Sequence, residues 1–199
     1  EDVREHLLRD AVRAAESVGY DSVGTIEFLL DARGEYYFME MNTRIQVEHT
    51  ISEEICGIDL IKQQIRIADG HKLAYRQEDI VCRGHAIECR INAENIKYNF
   101  APSPGQVSFI NFPLGRRVRI ESAVYNDYKI PPYYDSMIAK IITYADTRLE
   151  CIKRMRSALE ELLIEGVETN IEFQYLLLHH PTFVGGRYDT GFMESFIKE

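Results

Sequence analysis

From Glu40 to Glu48 every second residue is polar, and the residues between them are mostly apolar. Glu40, Asn42, Arg44, Gln46 and Glu48 fall on one parity, and Met41, Thr43, Ile45 and Val47 on the other. Successive side chains of an extended backbone point to opposite faces, so this period demands a strand with one face on a core. It also fixes what precedes it. Val23 to Leu30 reads as a strand, with Thr25, Ile26 and Phe28 suited to a pleated surface. Asp31-Ala32-Arg33-Gly34 is a turn, and Glu35 to Met41 is a second strand rich in aromatics, which makes a hairpin. With Arg33-Gly34 as a two-residue loop, Ala32 faces Glu35, Leu29 faces Phe38 and Glu27 faces Glu40.

Like charges directly opposite each other destabilise a sheet. A fold keeps such a pair when a hard cation bridges it, and Mg²⁺ is typically held by one or two carboxylates together with phosphates. Two glutamates on a solvated face would give the same pattern. The polar parity that follows weighs against that plain reading, and against an ordinary half-buried strand. It carries carboxylates, amides and a guanidinium in one register, from residue 40 to an extended segment over 42–49. Arg44 is a planar fork for a bicarbonate, carboxylate or phosphate, Gln46 can orient a small ligand, and Glu48 has the chemistry of a general base.

The rest of the chain is read for organisation. Val3, Leu7, Leu8, Ala11, Val12, Ala15 and Val18 recur at helical spacing, and Gly19 stops the run. The chain opens in this helix without Met, as a piece of something longer would. Thr50-Ile51-Ser52-Glu53 reads as a capping box, and Asp59 caps a helix closed by Gly70. Residues 71–82 are a polar crossing linker, which divides a first part, 1–75, from a second, 76–199. In the second part, strands are expected over Gly84 to Asn92, Gln106 to Phe112, Arg117 to Glu121 and Ser136 to Tyr144, with Pro102-Ser103-Pro104-Gly105 as a rigid turn. Thr147 to Glu150 and Thr169 to Glu172 read as capping boxes for two terminal helices. The first carries Leu149, Ile152, Met155, Leu159, Leu162 and Leu163 on one face, and the second ends before Pro181. The class is α+β with largely antiparallel pairing.

Composition excludes several functions. The net charge is −9, with 32 acidic against 23 basic residues, so general nucleic-acid binding is excluded and any bound anion needs a local basic group. No run reaches the roughly 18 apolar residues of a membrane span. Cys56, Cys82, Cys89 and Cys151 are scattered without a CxxC pair, which fits free thiols in a reducing compartment and no zinc site. His49 and His85 read as structural, His179-His180 as complementing a helix dipole, Asp135 as a turn former, and Tyr133 and Tyr134 as core. Arg116, Arg117 and Arg119 read as a solvated strand face or a partner-facing surface.

Glu40-Met41-Asn42-Thr43-Arg44-Ile45-Gln46-Val47-Glu48-His49 resembles the signature of biotin carboxylases, within the ATP-grasp superfamily. Gly24 to Leu29 resembles the strand before it, and Gly84 to Glu94, Pro102 to Gly105 and Pro131 to Met137 extend the likeness over the whole chain. The resemblance implies the C-terminal portion of an ATP-grasp domain followed by a biotin carboxylase C-terminal domain. It implies Glu27 and Glu40, with Asn42 beside them, as ligands of Mg²⁺ or Mn²⁺ under the ATP phosphates, and Leu29 and Met39 as apolar contacts near the adenine. It implies a bicarbonate pocket of Arg44, Gln46, the Val47 backbone and the base Glu48, with Arg90 stabilising the biotin enolate.

The activity so implied is ATP-dependent carboxylation of carrier-bound biotin, with ATP and Mg²⁺ as cofactors. Its partners are a biotin carboxyl carrier protein, a carboxyltransferase and a second copy in a homodimer, in the cytoplasm. The Asn42-Thr43-Arg44 triplet is more similar to acetyl-CoA or propionyl-CoA carboxylase components than to pyruvate carboxylase, and an acetyl-CoA carboxylase role would serve fatty acid synthesis. No glycine-rich lid is present and the first lysine is Lys62, so the 199 residues alone are expected to be inactive. The rival readings are a carboxylate–amine ligase of the same superfamily and a non-catalytic dimerisation module.

Overall fold

The computed structural model describes residues 2–197, which form two compact units divided between Val81 and Cys82. The class is α+β with antiparallel sheets. The first unit holds α1 (Asp2–Ser17), β1 (Thr25–Leu30), β2 (Tyr36–Asn42), α2 (His49–Cys56) and α3 (Leu60–Ala68). The second opens with β3 (His85–Asn92), β4 (Glu94–Asn95), β5 (Ala101–Pro102), β6 (Gly105–Gln106), β7 (Phe109–Asn111), β8 (Val118–Ser122) and β9 (Lys129–Ile130). It continues through β10 (Met137–Ala145), α4 (Arg148–Glu161), β11 (Leu163–Glu165), α5 (Ile171–His179), α6 (Pro181–Val184) and α7 (Phe192–Phe196).

The hairpin of the first unit reaches the expected Glu27–Glu40 pairing by a different route. Its loop is longer than two residues. The Asp31 amide donates to the Glu35 carbonyl, and Gly34 takes the positive φ (85°) that a three-residue loop requires of its last position. The Asp31 carboxylate accepts from the Arg33 and Glu35 amides, and these bonds hold its pKa below the usual range. The longer loop shifts the register, so Leu29 faces Tyr37 and not Phe38. A bulge that leaves Met39 unpaired then shifts it back, and Glu27 faces Glu40. The opposite face carries Phe28, with edge-on ring contacts to Tyr36 and Phe38. The Tyr36 hydroxyl donates to Asp10 of α1.

Two local expectations in this unit are corrected. The backbone is extended only to Asn42; it bends at Arg44 and turns at 47–48. Helix α2 begins at His49 with Glu48 in the N-cap position, so Thr50 is no cap but a fully buried side chain. Glu53 reaches instead to the Leu60 amide at 2.7 Å, leading into α3, where Asp59 caps as expected by accepting from the Lys62 amide. The apolar stripe of α1 is not buried: Leu8, Val12 and Val18 are exposed. Among the described residues of this unit only Thr50, Glu53 and Gln63 are buried, and all three are polar.

The second unit contains the hydrophobic core. Strand β10 lies between β3 and β8, antiparallel to both, and Ile138 to Thr143 are buried without a break. Ala139 and Ile141 of β10 and Cys89 and Ile91 of β3 meet Ile152, Met155 and Leu159 of α4, with Leu162 at its C-cap. The Thr147–Glu150 capping box forms as expected. Leu149 and Leu163 are exposed, because Leu163 has left the helix to begin β11 against β7. The strand expected over Gln106 to Phe112 is split into β6, paired with β9, and β7, paired with β11. Tyr133 and Tyr134 lie on the surface, 84% and 89% exposed, and not in the core. Thr169 is not the cap of α5: Asn170 occupies that position, and its side chain makes no cap bond.

None of the four cysteines is in a disulfide. Burial, followed by the charge of Glu88, pushes the Cys89 thiol up to about 12, and burial also raises Cys151. Thiolate is the reactive form. A thiol-reactive disulfide reagent at pH 8 should therefore modify Cys82 and Cys56 in the native protein, and Cys89 and Cys151 only at the rate of unfolding. Mass spectrometry of the labelled protein checks the assignment, and rapid native labelling of Cys151 would contradict the packing of α4 on β10.

Candidate functional site

The glutamate face of the hairpin carries a continuous side-chain network. The Asn42 amide donates to Glu27 Oε1 at 3.0 Å and to Glu40 Oε1 at 2.9 Å. The Asn42 carbonyl oxygen accepts from Arg44 Nη2 at 3.2 Å, and Arg44 Nη1 donates to Gln46 Oε1 at 3.2 Å. The alternation in the sequence thus places Glu40, Asn42, Arg44 and Gln46 in a row even though the strand stops at Asn42. Beyond it the row is held by the Arg44 fork and by turn bonds. The Gln46 carbonyl accepts from the His49 amide and from His49 Nδ1 at 2.7 Å, which gives His49 the structural role expected of it. Glu48 sits at the head of α2, next to this turn.

Asn42 explains how two facing carboxylates are tolerated. One amide nitrogen bridges both, and each hydrogen bond to an ionised acceptor contributes about 1.5–3 kcal/mol. The donor set of two carboxylates and an amide fits a hard divalent cation. Among the described residues no group of three His, Cys, Asp or Glu is arranged to hold a metal, so phosphate or water oxygens would have to complete the shell. Leu29, on the same face as Glu27 and beside Tyr37, and the bulged Met39 are 59% and 46% exposed.

Arg90 lies in the second unit, on β3. Its neighbours Cys89 and Ile91 face the core, so Arg90 and Glu88 face the other way. Two rows cross that side of the sheet: Arg90, Lys140 and Glu121 in one, Glu88, Ile142 and Arg119 in the other. Arg90 Nε approaches Glu88 Oε1 at 3.4 Å, and the Glu88 side chain is only 4% exposed. Lys140 Nζ meets Glu121 Oε2 at 2.5 Å, and Glu121 also accepts from Arg119. Burial raises the Glu121 carboxyl, but hydrogen bonds from Lys140 and Arg119 outweigh it and hold the group below its ordinary range. Sequence reasoning missed Lys140 and Glu121. Their signal was a lysine inside the otherwise apolar run Met137 to Thr143.

Residues 88–195 match the biotin carboxylase C-terminal domain family, and residues 1–76 match the carbamoyl-phosphate synthase L chain ATP-binding domain family. Biotin carboxylase 1 of Bacillus subtilis (strain 168) is 55% identical over 196 residues, which is 98% of this chain and 44% of that protein. A pyruvate carboxylase subunit of Methanothermobacter thermautotrophicus is 50% identical over 195 residues, 98% of this chain and 40% of that protein. The biotin carboxylase domain dimer of Hydrogenobacter thermophilus 2-oxoglutarate carboxylase, solved with MgADP, ADP and bicarbonate, superposes with a TM-score of 0.92. It is 47% identical and covers 96% of this chain and 42% of that one. The chain thus spans less than half the length of these relatives.

The Lys140–Glu121 pair has a pH signature. A carboxyl whose folded pKa is depressed contributes stability that is present above its unfolded value, near 4.5, and is lost as pH falls through the lower folded value. Glu121→Gln should lower the stability of the second unit by about 2 kcal/mol at pH 7, the worth of a hydrogen bond to a charged group. It should also flatten the part of the decline below pH 4.5 that Glu121 causes. Urea unfolding followed at three pH values, one neutral and two on the acid side, measures both, and an unchanged acid limb would show that Glu121 is not held low.

Proposed function

Because the chain belongs to the biotin carboxylase family, we propose that it forms part of a ligase that uses ATP and bicarbonate to carboxylate biotin on a carrier protein, through carboxyphosphate. The observation that carries this reading is the bridged row Glu27, Glu40, Asn42, Arg44 and Gln46, an acidic cation site merging into an anion site. In this reading Glu27 and Glu40, with Asn42, hold Mg²⁺ or Mn²⁺, which when bound neutralises charge on the ATP phosphates. Leu29 and Met39 offer the adenine an apolar surface. Arg44 grips bicarbonate through its fork, Gln46 and the Val47 backbone orient it, and Glu48 takes its proton. The bicarbonate oxygen then attacks the γ-phosphorus, and the bond to ADP breaks. Carboxyphosphate splits into CO₂ and inorganic phosphate, that phosphate takes the ureido N–H proton of biotin, and the ureido nitrogen attacks CO₂ while Arg90 stabilises the ureido oxyanion.

An acetyl-CoA carboxylase role in fatty acid synthesis is the acceptor we favour, on the Asn42-Thr43-Arg44 triplet. Propionyl-CoA and pyruvate carboxylases are the alternatives, and the 50% identity to a pyruvate carboxylase component keeps the latter in play. The partners are a biotin carboxyl carrier protein, a carboxyltransferase and a second copy in a homodimer, in the cytoplasm. Among the described residues no helix is long and apolar enough to cross a membrane.

The 199 residues alone are proposed to be inactive. They carry no glycine-rich lid and no lysine before Lys62 to grip phosphates, and the unit with the glutamate pair buries no apolar side chain among its described residues. Transition-state stabilisation needs donors fixed in place before the reaction. Bicarbonate-dependent ADP release with free biotin should be absent from the 199-residue chain, and turnover comparable to a full-length relative would overturn the proposal. In the full-length enzyme, Arg90→Lys should lower biotin carboxylation about 10²–10³-fold with ATP affinity kept, since lysine lacks the planar fork. Equal loss of nucleotide affinity, measured by calorimetry, would remove Arg90 from the biotin side.

A further inference from the structure

We infer that Asn170 is a positioning residue for Arg90, acting as a one-residue substitute for a missing strand. The inference rests on the reading that Arg90 meets biotin. Strand β3 pairs with β10 along one edge, and its other edge presents backbone groups that no strand satisfies among the described residues. Asn170, 9% exposed at the head of α5, fills that edge. Its amide nitrogen Nδ2 donates to the Arg90 carbonyl at 3.1 Å, and its Oδ1 accepts from the Asn92 amide at 2.9 Å. Its own backbone amide donates to the Asn92 carbonyl at 3.2 Å. Gln174, one turn further along α5, donates to the same Arg90 carbonyl at 2.5 Å. The orientation of the carboxamide is unambiguous, because a backbone N–H can only donate and so selects Oδ1.

The residue type supports positioning over capping. At an N-cap, Asn, Asp and Ser are nearly equivalent, yet the Asn170 side chain makes no cap bond. Its task needs a donor and an acceptor on one planar group, as in a peptide. Asp lacks the donor and Ala lacks both. The consequence falls on Arg90. Its side chain is long and 45% exposed, so its backbone is the rigid reference from which the guanidinium is aimed. Asn170 and Gln174 fix the 90–91 peptide, and Glu88 meets the other end of the side chain at Nε. Misplacement of a reacting group by about 1 Å can cost 10²-fold in rate.

The test is a double-mutant cycle in the full-length enzyme, with Asn170→Asp, Gln174→Ala and Arg90→Lys, singly and combined. Asn170→Asp should lower kcat for biotin carboxylation about 10–100-fold, leaving KM for ATP and for bicarbonate within about twofold. Gln174→Ala should lower the same kcat by a smaller factor. Both losses should vanish in the Arg90→Lys background, since a residue that acts through Arg90 has nothing left to position. A purely structural clamp predicts the opposite: a lower melting temperature, and a kcat loss that persists beside Arg90→Lys. That result overturns the inference, as does full activity in both single variants. If Asn170→Asp does not fold, the Gln174→Ala cycle decides alone. If Arg90→Lys itself leaves biotin carboxylation intact, the parent reading of Arg90 has failed. If Arg90→Lys abolishes carboxylation while Asn170→Asp and Gln174→Ala do not affect it, only this inference has failed.

Discussion

The burial of β10 organises the second unit. Its residues from Ile138 to Thr143 are buried on both faces, with α4 over one face and a charged row along the other. A strand covered on both sides must satisfy every polar group it carries, and Lys140 is one of them. The lysine is tolerated because Glu121 lies opposite on β8, and Glu121 is tolerated because Arg119 lies beside it. Arg90 occupies the matching place on β3, in the same row as Lys140 and Glu121. The charged face is therefore a consequence of where the central strand runs.

The first unit is built on a different principle. A two-stranded hairpin alone is marginally stable in water, and here it has no buried apolar side chain to lean on among the described residues. Its order comes from side-chain hydrogen bonds, from Asp31 in the turn and from Asn42 between the glutamates. Much of its apolar surface, including Leu8, Val12, Leu29, Phe38 and Ile65, is exposed. The proposed catalytic row thus sits on the part of the chain with the least core of its own. That agrees with a chain spanning less than half of its relatives.

Much of the candidate site was legible, for local reasons. Glu27 opposite Glu40 was expected from turn and strand patterns, and the pairing is observed although the loop and the bulge were both unforeseen. Each displaces the register by one residue, in opposite directions, so the pair survives while Tyr37 takes the place expected of Phe38. The capping signals divide in the same way. Asp59 and Thr147 cap as read, because nothing else competes for their side chains. Thr50 is buried and Asn170 is bound to β3, so the same motif at those places describes no cap.

By itself the sequence determined the hairpin, strands β3, β8 and β10, helices α1, α3, α4 and α5, the parity of the polar row and the signature of the family, because these follow from steric periods and from contacts between near neighbours in the chain. Tertiary structure decided where the extended segment stops, which tyrosines reach the surface, and what holds Arg90. The last of these depends on hydrogen-bond partners tens of residues away: Asn170 is separated from Arg90 by 80 positions. A local pattern carries no record of such a partner, and a buried edge without one would leave backbone groups unsatisfied at about 1–3 kcal/mol each. The fold resolves that demand with a side-chain amide, and only the assembled structure shows which one.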